Sequence, residues 1–434
     1  MKLQKNFQLK NKKSLRPIHN VFHAAVLFIP LFFFSCKDNT NRKLVIWTND
    51  FSFASYVEAF NAADKNNRAV VIYKENPAAS LPPNKDEFQP DIVVSSYLKN
   101  SSVRRYFSPV DFLFEDKSLQ KNTFYSELLN YGVINGHNYL LPVSFNIPAI
   151  IFHTQNSNYV KTEDVIDLKQ MQEFSSQFNA RNSAGTFTAM GYGPSWENDF
   201  LYEVTKLKGA SYAERGTSFT WNQEAVESAL NELKNWTTAE NDSTMTEQNF
   251  QFRYLYLPKY RQVAGGRCLF AYTTSSSFFM LTESQREGLD FRWLGNNGTI
   301  PIEDDIVCMG IYSDSTNIDA CRKFISWFFT SSTQQLLMER SAAMRLDTVP
   351  FGIAGGFSSI KATNANVFPV FYRNLLGNIP SEKSIAVPHI LPVRWESLKR
   401  RVILPYLTES VSTDTTQPHL SLQERISNWT KQFY

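Results

Sequence analysis

Three consecutive carboxylates, Glu303, Asp304 and Asp305, are the residues of this sequence best suited to acid–base chemistry. Hydrolysis of a glycosidic bond requires two carboxylates that flank the bond. Adjacent residues rarely provide an acid and a base on opposite sides of one substrate. The three carboxylates therefore give little support for a glycoside hydrolase. The sequence contains no GxSxG, HExxH or Walker motif, which would indicate a serine hydrolase, a zinc protease or a nucleotide-binding loop.

Two polar segments follow predicted strands where α/β proteins bind ligands. The apolar runs at 44–47, 69–73 and 91–94 predict buried strands, and the apolar spacing at 55–63 predicts a helix. This alternation is typical of a doubly wound parallel sheet, in which ligands bind at the carboxyl ends of the strands. We therefore expect one rim of the sheet to carry the polar residues Asn49, Asp50, Ser95, Ser96 and Tyr97.

Residues 135–154 contain two strand-like runs whose relationship the sequence leaves open. An Asn-Gly pair at the start favours a tight turn, because both residues tolerate positive φ. A strand is expected at 139–141 and should end at Pro142, which has no N–H to donate to a neighbouring strand. A second strand is expected at 147–152. The two runs form either an edge hairpin in one domain or a crossing from one sheet to another.

The rest of the chain continues the mixed pattern of helices and strands. Further strands are predicted at 268–272, 291–294 and 306–312. Helices are predicted at 125–131, 162–179 with Thr162 as N-cap, 199–208, 222–236, 317–329, 333–341, 394–402 and 421–433. Pro405 is expected to end the helix that begins at 394.

The N-terminus has the pattern of a bacterial export signal. Residues 1–35 carry six Lys or Arg and no Asp or Glu, and their apolar run at 21–34 is too short to span a bilayer. The run ends in Ser35 and Cys36, as in a lipobox, although Phe33 stands where Leu is usual. We predict cleavage before Cys36, lipid on its thiol and a tether at 36–42. An ordinary signal peptide cut nearby and an uncleaved anchor are the alternatives.

Removal of residues 1–35 reverses the sign of the net charge. Six of the 44 basic residues lie there, so 38 basic and 41 acidic residues remain, a net charge of −3. The basic balance of the whole chain therefore belongs to the export signal and does not indicate nucleic-acid binding. The remaining 399 residues are too many for one core and predict two domains.

The cysteines give no sign of a metal site. Cys268, Cys308 and Cys321 form no CxxC pair, and no His lies at a ligand-like spacing from them. We expect buried thiols. A Cys268–Cys308 disulfide is the alternative, because both residues lie in strand-like runs.

Five motifs, in order along the chain, resemble those of one protein family. They are KLVIW at 43–47, PDIVV at 90–94, GHNYLLP at 136–142 with IFH at 151–153, GGRCL at 265–269, and ACRKFISWF at 320–328 with Gln334 and Gln335. This layout resembles the family 1 extracellular solute-binding proteins of bacterial ABC importers, the group that includes maltose-binding protein. His153 stands where Asn is usual and Leu140 where a Gly is usual. The C-terminal third matches the family poorly.

The resemblance implies an α/β fold of the type II periplasmic-binding-protein class. Two lobes, each a sheet flanked by helices, would enclose a ligand cleft that closes by a hinge motion. The implied first lobe comprises 43–146 and 306–348, and the second comprises 147–305 and 349–434. Residues 135–154 would then be a crossing between the lobes, beside the ligand. The implied function is capture of an extracytoplasmic solute, preferably an oligosaccharide, for delivery to the transmembrane subunits of an ABC permease.

The resemblance also implies the residues that bind the ligand, because a sugar needs aromatic faces and hydrogen-bonding groups. The implied site residues are Trp47, Asn49, Asp50, Ser95, Ser96, Phe145, Asn146, Trp196, Glu197, Tyr272, Ser276 and Asp305. Core packing is the alternative for Trp47, and a surface cluster is the alternative for Trp196. Asp305 could instead belong to an exposed charged turn, and Trp395 is expected to pack a helix rather than stack on a sugar.

The remaining expectations concern partners and location. We expect no cofactor, no metal, no enzymatic activity and no nucleic-acid partner. The chain should be an exported monomer, attached to the cell membrane by its N-terminal lipid and facing the periplasm or the cell exterior. A binder of a non-sugar polar solute and a surface adhesin are alternatives, although the repeats expected of an adhesin are absent from the sequence.

Overall fold

The computed structural model describes residues 42–160, 164–216, 218–344, 349–413 and 419–433. The predicted signal peptide, Cys36, residues 36–41 of the predicted tether and the predicted N-cap Thr162 lie outside these ranges. Among the described helices, none is both long enough and apolar enough to cross a membrane.

The strands are mostly short, and we number them in chain order. They are β1 (Leu44–Thr48), β2 (Ala69–Tyr73), β3 (Ile92–Ser95), β4 (Val133–Ile134), β5 (His137–Asn138), β6 (Leu140–Phe145), β7 (Pro148–His153), β8 (Val165–Ile166), β9 (Ala180–Arg181), β10 (Phe187–Ala189), β11 (Ala213–Arg215), β12 (Ser218–Thr220), β13 (Ala271–Thr274), β14 (Leu289–Leu294), β15 (Ile300–Pro301), β16 (Val307–Ile311), β17 (Phe357–Ser358) and β18 (Ile385–Ala386).

The α-helices surround these strands. They are α1 (Ser52–Ala63), α2 (Phe112–Glu115), α3 (Ser126–Tyr131), α4 (Leu168–Phe178), α5 (Asn198–Leu207), α6 (Gln223–Glu240), α7 (Thr244–Arg253), α8 (Lys259–Ala264), α9 (Ser275–Phe279), α10 (Glu283–Arg286), α11 (Ile318–Phe328), α12 (Ser331–Ala343), α13 (Lys361–Asn366), α14 (Phe368–Phe371), α15 (Trp395–Leu398), α16 (Leu404–Val411) and α17 (Leu422–Phe433). A π-helical turn, Lys399–Ile403, joins α15 to α16.

A six-stranded sheet and the helices packed on it form what we call the first lobe. Its strand order is β17-β6-β16-β3-β1-β2, and β1 is parallel to both β2 and β3. β3 is fully buried, which explains its continuous apolar run. The sequence therefore predicted this parallel core correctly, because buried parallel strands leave a clear apolar signal.

A four-stranded sheet, in the order β13-β7-β14-β8, forms the centre of the second lobe. Helices α5 and α6 and the C-terminal helices pack around it in a separate apolar cluster that includes Trp236, Trp395 and Trp429. On one side the two lobes share apolar contacts: Phe279 stacks on Phe351 at 4.9 Å, and Trp293 meets Phe357 edge to face.

Residues 135–154 cross between the two sheets. β6 pairs with β16 and β17 in the first sheet, whereas β7 pairs with β13 and β14 in the second. The expectation that Pro142 ends its strand was wrong, because β6 continues through it to Phe145. Pro142 lies opposite Cys308, next to the point where the register of β6 and β16 shifts, and proline is tolerated in sheets at such irregular positions.

Other boundaries also differ from the sequence expectations. Helix α4 begins at Leu168 rather than 162, because Asp167 and Gln170 form a capping box there. The strand predicted at 268–272 is Ala271–Thr274, and the polar run after it folds as α9 behind the N-cap Thr274. Pro405 does not end a helix. It lies in the first turn of α16, after the π-helical turn has changed the hydrogen-bond spacing.

The assignment of 349–434 to the second lobe needs one correction. Phe357 and Ser358 pair with Phe145 and Ser144 in the first sheet, so the chain after α12 contributes to that sheet first. The exact lobe boundaries stay a prediction. Cys268, Cys308 and Cys321 are free and buried, as expected, and burial raises the pKa of each thiol to about 12.

Candidate functional site

A cleft of about 630 Å³ lies where elements of the two sheets meet. Ser144, Asn146 and Val307 line it from the first sheet and the crossing, and Ala354 and Gly355 from the loop before β17. The remaining lining residues are Glu197, Asp199, Tyr272, Thr273, Thr274, Ser276, Ser277, Glu303, Asp304, Asp305, Glu396, Lys399, Arg400 and Leu404. Most of these side chains are polar or charged, so the cleft suits a ligand with many hydrogen-bonding groups.

Asn146 occupies the crossing between the sheets and is held from both sides. Its Oδ1 accepts a hydrogen bond from Ser275 Oγ at 2.7 Å, and its Nδ2 donates to the Gly355 carbonyl at 3.0 Å. Its own carbonyl accepts from Glu303 N at 2.9 Å, which joins two crossing segments. Asn146 therefore contacts three parts of the cleft wall with one residue.

The loop at 352–356 presents backbone groups to the cleft. Ser144 Oγ donates to the Ala354 carbonyl at 3.1 Å, and Ala354 N donates to Tyr56 Oη at 3.1 Å. Gly356 is required at its position, because a Cβ there would lie 2.6 Å from the Phe145 carbonyl oxygen. These contacts fix the direction of the Gly355 carbonyl that Asn146 binds.

Asp304 is fully engaged beneath the cleft. Its Oδ2 accepts from Tyr202 Oη at 2.7 Å and from Trp395 Nε1 at 2.8 Å. Its Oδ1 lies 3.1 Å from Lys206 Nζ. Burial alone would raise the pKa of Asp304, but the charges of Lys206 and Lys399 and these hydrogen bonds outweigh it and lower that pKa. Asp304 is thus an ionised structural anchor.

The neighbours of Asp304 behave differently. Glu303 has one weak contact, from Tyr272 Oη at 3.5 Å, and burial followed by the charge of Glu203 raises the pKa of Glu303 well above its usual range. Burial also raises the pKa of Asp305, with a further contribution from Glu396. These two carboxylates face the cleft and can accept hydrogen bonds from ligand hydroxyls.

Glu197 reaches the cleft from the loop before α5. It forms an ion pair with Lys259, whose pKa burial lowers to about 8. The buried Glu247 holds the loop, because its Oε2 accepts hydrogen bonds from Ser195 N at 3.0 Å and from Ser195 Oγ at 2.5 Å. The loop is therefore anchored by α7 and presents the Glu197 side chain at the cleft edge.

The C-terminal helices contribute charges that the sequence did not reveal. Glu396, Lys399 and Arg400 line the cleft, and Lys399 Nζ lies 3.3 Å from Asp199 Oδ1. Burial alone would lower the pKa of Lys399, but Asp304 and Glu203 raise it to about 12. Charges at this spacing normally indicate a solvated helix face, so no sequence signal set these residues apart.

Five of the predicted site residues line the cleft, namely Asn146, Glu197, Tyr272, Ser276 and Asp305. Two others belong to the core of the first lobe. Trp47 is fully buried in β1, and Phe145 packs against Tyr125 and Phe357. Both were expected to face the ligand, but their positions in buried strands turn them towards the apolar core.

The remaining predicted residues do not line the cleft. They are Asn49, which is exposed, Asp50, which binds Ser52 N, Ser95, which is buried in β3, Ser96, whose hydroxyl donates to the Asp305 carbonyl at 2.7 Å, and Trp196. The Trp196 ring stacks on Phe250 at 5.8 Å. A role for these residues in binding stays a prediction. Trp395, expected to pack a helix, is fully buried against Tyr202, Tyr212 and Phe219.

The arrangement is that of a binding site with many acceptors. In the described part of the chain, no group of three or more His, Cys, Asp or Glu could hold a metal ion. Asp304 is tied to three partners, which makes it unsuitable as one of a pair of glycosidase carboxylates. The other two carboxylates of the segment, Glu303 and Asp305, both line the cleft and are two positions apart in the sequence.

Comparison with solved structures identifies the architecture. An extracellular solute-binding protein family 1 member from Alicyclobacillus acidocaldarius aligns with a TM-score of 0.61 and 12% identity, over 90% of this chain and 98% of that one. An ABC substrate-binding protein of Listeria monocytogenes in complex with cycloalternan aligns with a TM-score of 0.60 and 12% identity, over 90% and 98%. This chain has the two-lobe fold of ABC solute-binding proteins.

The same fold also occurs with a different ligand. The protein UgpB from Mycobacterium tuberculosis, in complex with glycerophosphocholine, aligns with a TM-score of 0.56 and 13% identity, over 90% of this chain and 97% of that one. No protein-family model matches the sequence, and no curated protein matches it either. At these identities the comparisons establish the fold and leave the ligand to the chemistry of the cleft.

Proposed function

We propose that this chain is the substrate-binding protein of an ABC importer and captures an extracytoplasmic carbohydrate in the cleft between its lobes. The observation that carries the proposal is the cleft of about 630 Å³, which elements of both lobes line with hydrogen-bonding groups. This volume lies within the range of small-molecule sites. The acceptors Glu303 and Asp305 and the donor–acceptor side chains of Tyr272 and Ser276 match the hydroxyl groups of a sugar.

An oligosaccharide is the preferred ligand. The solved structure of the Listeria protein contains cycloalternan, and a neighbour from Arthrobacter globiformis is a cyclic α-maltosyl-1,6-maltose binding protein. A non-sugar polar solute is the second candidate, because the Mycobacterium neighbour contains glycerophosphocholine. The acidic lining favours hydrogen-bond donors and cations over anionic phosphate groups, so we rank the sugar first.

The test is a thermal-shift screen followed by titration calorimetry with the purified chain. The panel contains mono- and oligosaccharides and, as the competing class, glycerophosphodiesters. A ligand that binds only the folded chain raises the melting temperature according to its concentration and affinity. Stabilisation by a sugar, with no product after long incubation, supports the proposal. Release of product from a glycan would support the hydrolase instead, and stabilisation by a phosphodiester alone would support the second candidate.

Anchoring and delivery are further parts of the proposal. Cys36 would carry the lipid, the chain would act as a monomer outside the cytoplasm, and the transmembrane permease subunits would receive the solute. Labelling of cells with a fatty-acid analogue tests the anchor directly. The wild-type chain should take up the label and sediment with membranes, whereas Cys36→Ala should do neither.

A further inference from the structure

A short loop of the first lobe reaches across to the second lobe. Tyr97 follows β3, and its hydroxyl donates a hydrogen bond to Glu396 Oε1 at 2.7 Å. Its ring packs against the apolar cluster of the second lobe, to which Trp395 belongs. One tyrosine thus makes an apolar contact and a hydrogen bond with the opposite lobe.

The same loop makes a second contact with the hairpin of β11 and β12. Ser101 N donates to Glu214 Oε1 at 2.8 Å, and Ser101 Oγ donates to the Gly216 carbonyl at 3.3 Å. The hairpin is itself held in the second lobe, because Glu214 N donates to the Ile390 carbonyl at 2.7 Å. These bonds join residues more than 100 positions apart in the sequence.

Hydrogen bonds within the loop itself fix its conformation. Tyr97 has a φ of 62°, which is uncommon for a residue with a side chain. The buried Asn100 supports it: Asn100 Nδ2 donates to the Tyr97 carbonyl at 2.8 Å, and Asn100 Oδ1 accepts from Ser102 N and Val103 N. A strained residue held by a buried amide is typical of a segment with a function.

We propose that the segment 97–101 is a latch that holds the two lobes together in the absence of a solute, with Tyr97 as the positioning residue. The latch sets the fraction of the chain that is closed before a solute arrives. A closed fraction below one reduces the apparent affinity by the same factor, so Tyr97 and Ser101, which do not line the cleft, change affinity through the closed fraction. The proposal concerns the ligand-free chain, so it stands or falls separately from the identity of the solute.

The test compares ligand-free wild-type chain, Tyr97→Phe and the control Tyr73→Phe, whose ring is exposed and stacks on Phe51 in the first lobe. Small-angle X-ray scattering measures the radius of gyration. Hydrogen exchange with fragmentation to single residues measures the Ser101 amide, with the Ser102 and Val103 amides as internal references because their partner lies in the same loop. We expect Tyr97→Phe to increase the radius of gyration and to speed exchange at Ser101 by about two- to tenfold, while the reference amides change little.

A second variant keeps the test decisive if Tyr97→Phe folds poorly. Glu214→Ala removes the acceptor of Ser101 N without altering the cleft lining, and it should shift both measurements in the same direction. In a double-mutant cycle, Glu396→Ala and Tyr97→Phe should be non-additive for the radius of gyration, because each removes the hydrogen bond between the Tyr97 hydroxyl and Glu396. Equal radii and equal Ser101 exchange in wild type, Tyr97→Phe and Glu214→Ala would overturn the latch.

Discussion

Lys206 Nζ lies 3.1 Å from Asp304 Oδ1, inside the second lobe and directly behind the cleft. The lysine also lies 3.1 Å from Glu203 Oε1 and donates to the Ile302 carbonyl at 3.0 Å. Burial alone would lower the pKa of Lys206, but Asp304 and Glu203 reverse this and raise it. The pair ties α5 to the segment that returns the chain to the first lobe, so a buried charge network supports the cleft floor.

Asp304→Ala should strongly destabilise the chain. The variant leaves Tyr202 and Trp395 without their acceptor and removes one of the two carboxylates that lie 3.1 Å from Lys206 Nζ. Loss of one partner from a buried network costs about 3 kcal/mol in the free energy of unfolding, measurable in urea. The control is Glu58→Ala, which removes the exposed pair with Arg340 and should cost less than about 1 kcal/mol. Equal effects of the two variants would show that the network is not structural.

Glu303→Gln should stabilise the chain at alkaline pH. Because the pKa of Glu303 is raised in the folded state, the wild-type chain loses stability as the pH rises from the unfolded pKa, about 4.3, to the folded pKa, and the loss is constant above the folded pKa. We expect the variant to be more stable than wild type at pH 8, by on the order of 1 kcal/mol, with the difference shrinking towards pH 5. Unfolding curves at several pH values measure this. Glu173→Gln, at an exposed position of α4, is the matched control.

Greater stability of the wild type than of Glu303→Gln at pH 8 would contradict this interpretation, because it would mean that the folded chain stabilises the ionised carboxylate.

The ionisation of Asp304 affects stability with the opposite sign, in the acid range. Its lowered pKa gives stability that is complete above the unfolded value near 3.9 and is lost as the pH falls through the folded value. The two neighbouring carboxylates therefore respond to pH in opposite directions.

Sequence patterns predicted five of the six strands of the first sheet, all except β17, because the physical signals of these five are local. β1 and β3 are buried runs whose apolar residues stand together in the chain. The crossing at Asn146 was also predictable, since polar residues interrupt two strand-like runs there. The extent of β6 was not, because the tolerance of Pro142 depends on the register of β16, a strand far away in the sequence.

The candidate site likewise contains residues that the sequence could predict and residues that it could not. Asn146 follows the GHNYLLP motif and Tyr272 follows the GGRCL motif, so the family resemblance marks both positions. None of the motifs lies next to Asp305. Trp47 was misjudged because a tryptophan at the end of a strand fits both a core and a sugar platform, and only the direction of its side chain decides. Glu396 and Arg400 are one turn apart and 3.5 Å from each other, like any surface pair. Only the tertiary position of α15 and of the π-helical turn after it brings them to the cleft.

Asn146→Ala should weaken both folding and binding. The variant removes the hydrogen bonds to Ser275 and Gly355, which should lower the free energy of unfolding by about 2 kcal/mol. It should also lower the affinity for whichever sugar gives the largest shift in the panel, because the cleft walls lose a common support. The matched control is Asn84→Ala, whose amide binds Glu87 within one exposed loop and should change stability by less than about 0.5 kcal/mol. Unchanged affinity in Asn146→Ala would show that Asn146 does not contribute to ligand binding.

Trp47→Phe should lower stability without changing affinity, whereas Tyr272→Phe should lower affinity with little effect on stability. Trp47 is fully buried in the first-lobe core, so the smaller ring leaves a cavity and should lower the free energy of unfolding by about 2 kcal/mol without changing sugar affinity. Tyr272 lines the cleft, and its hydroxyl lies 3.5 Å from Glu303. Its loss should weaken binding of the panel sugar by about fivefold, with little effect on stability. Calorimetric titration measures the affinity of both variants, and urea unfolding measures their free energy of unfolding. Weaker binding by Trp47→Phe than by Tyr272→Phe would show that Trp47 contributes to ligand binding. The ligand would then lie closer to β1 than the cleft described above.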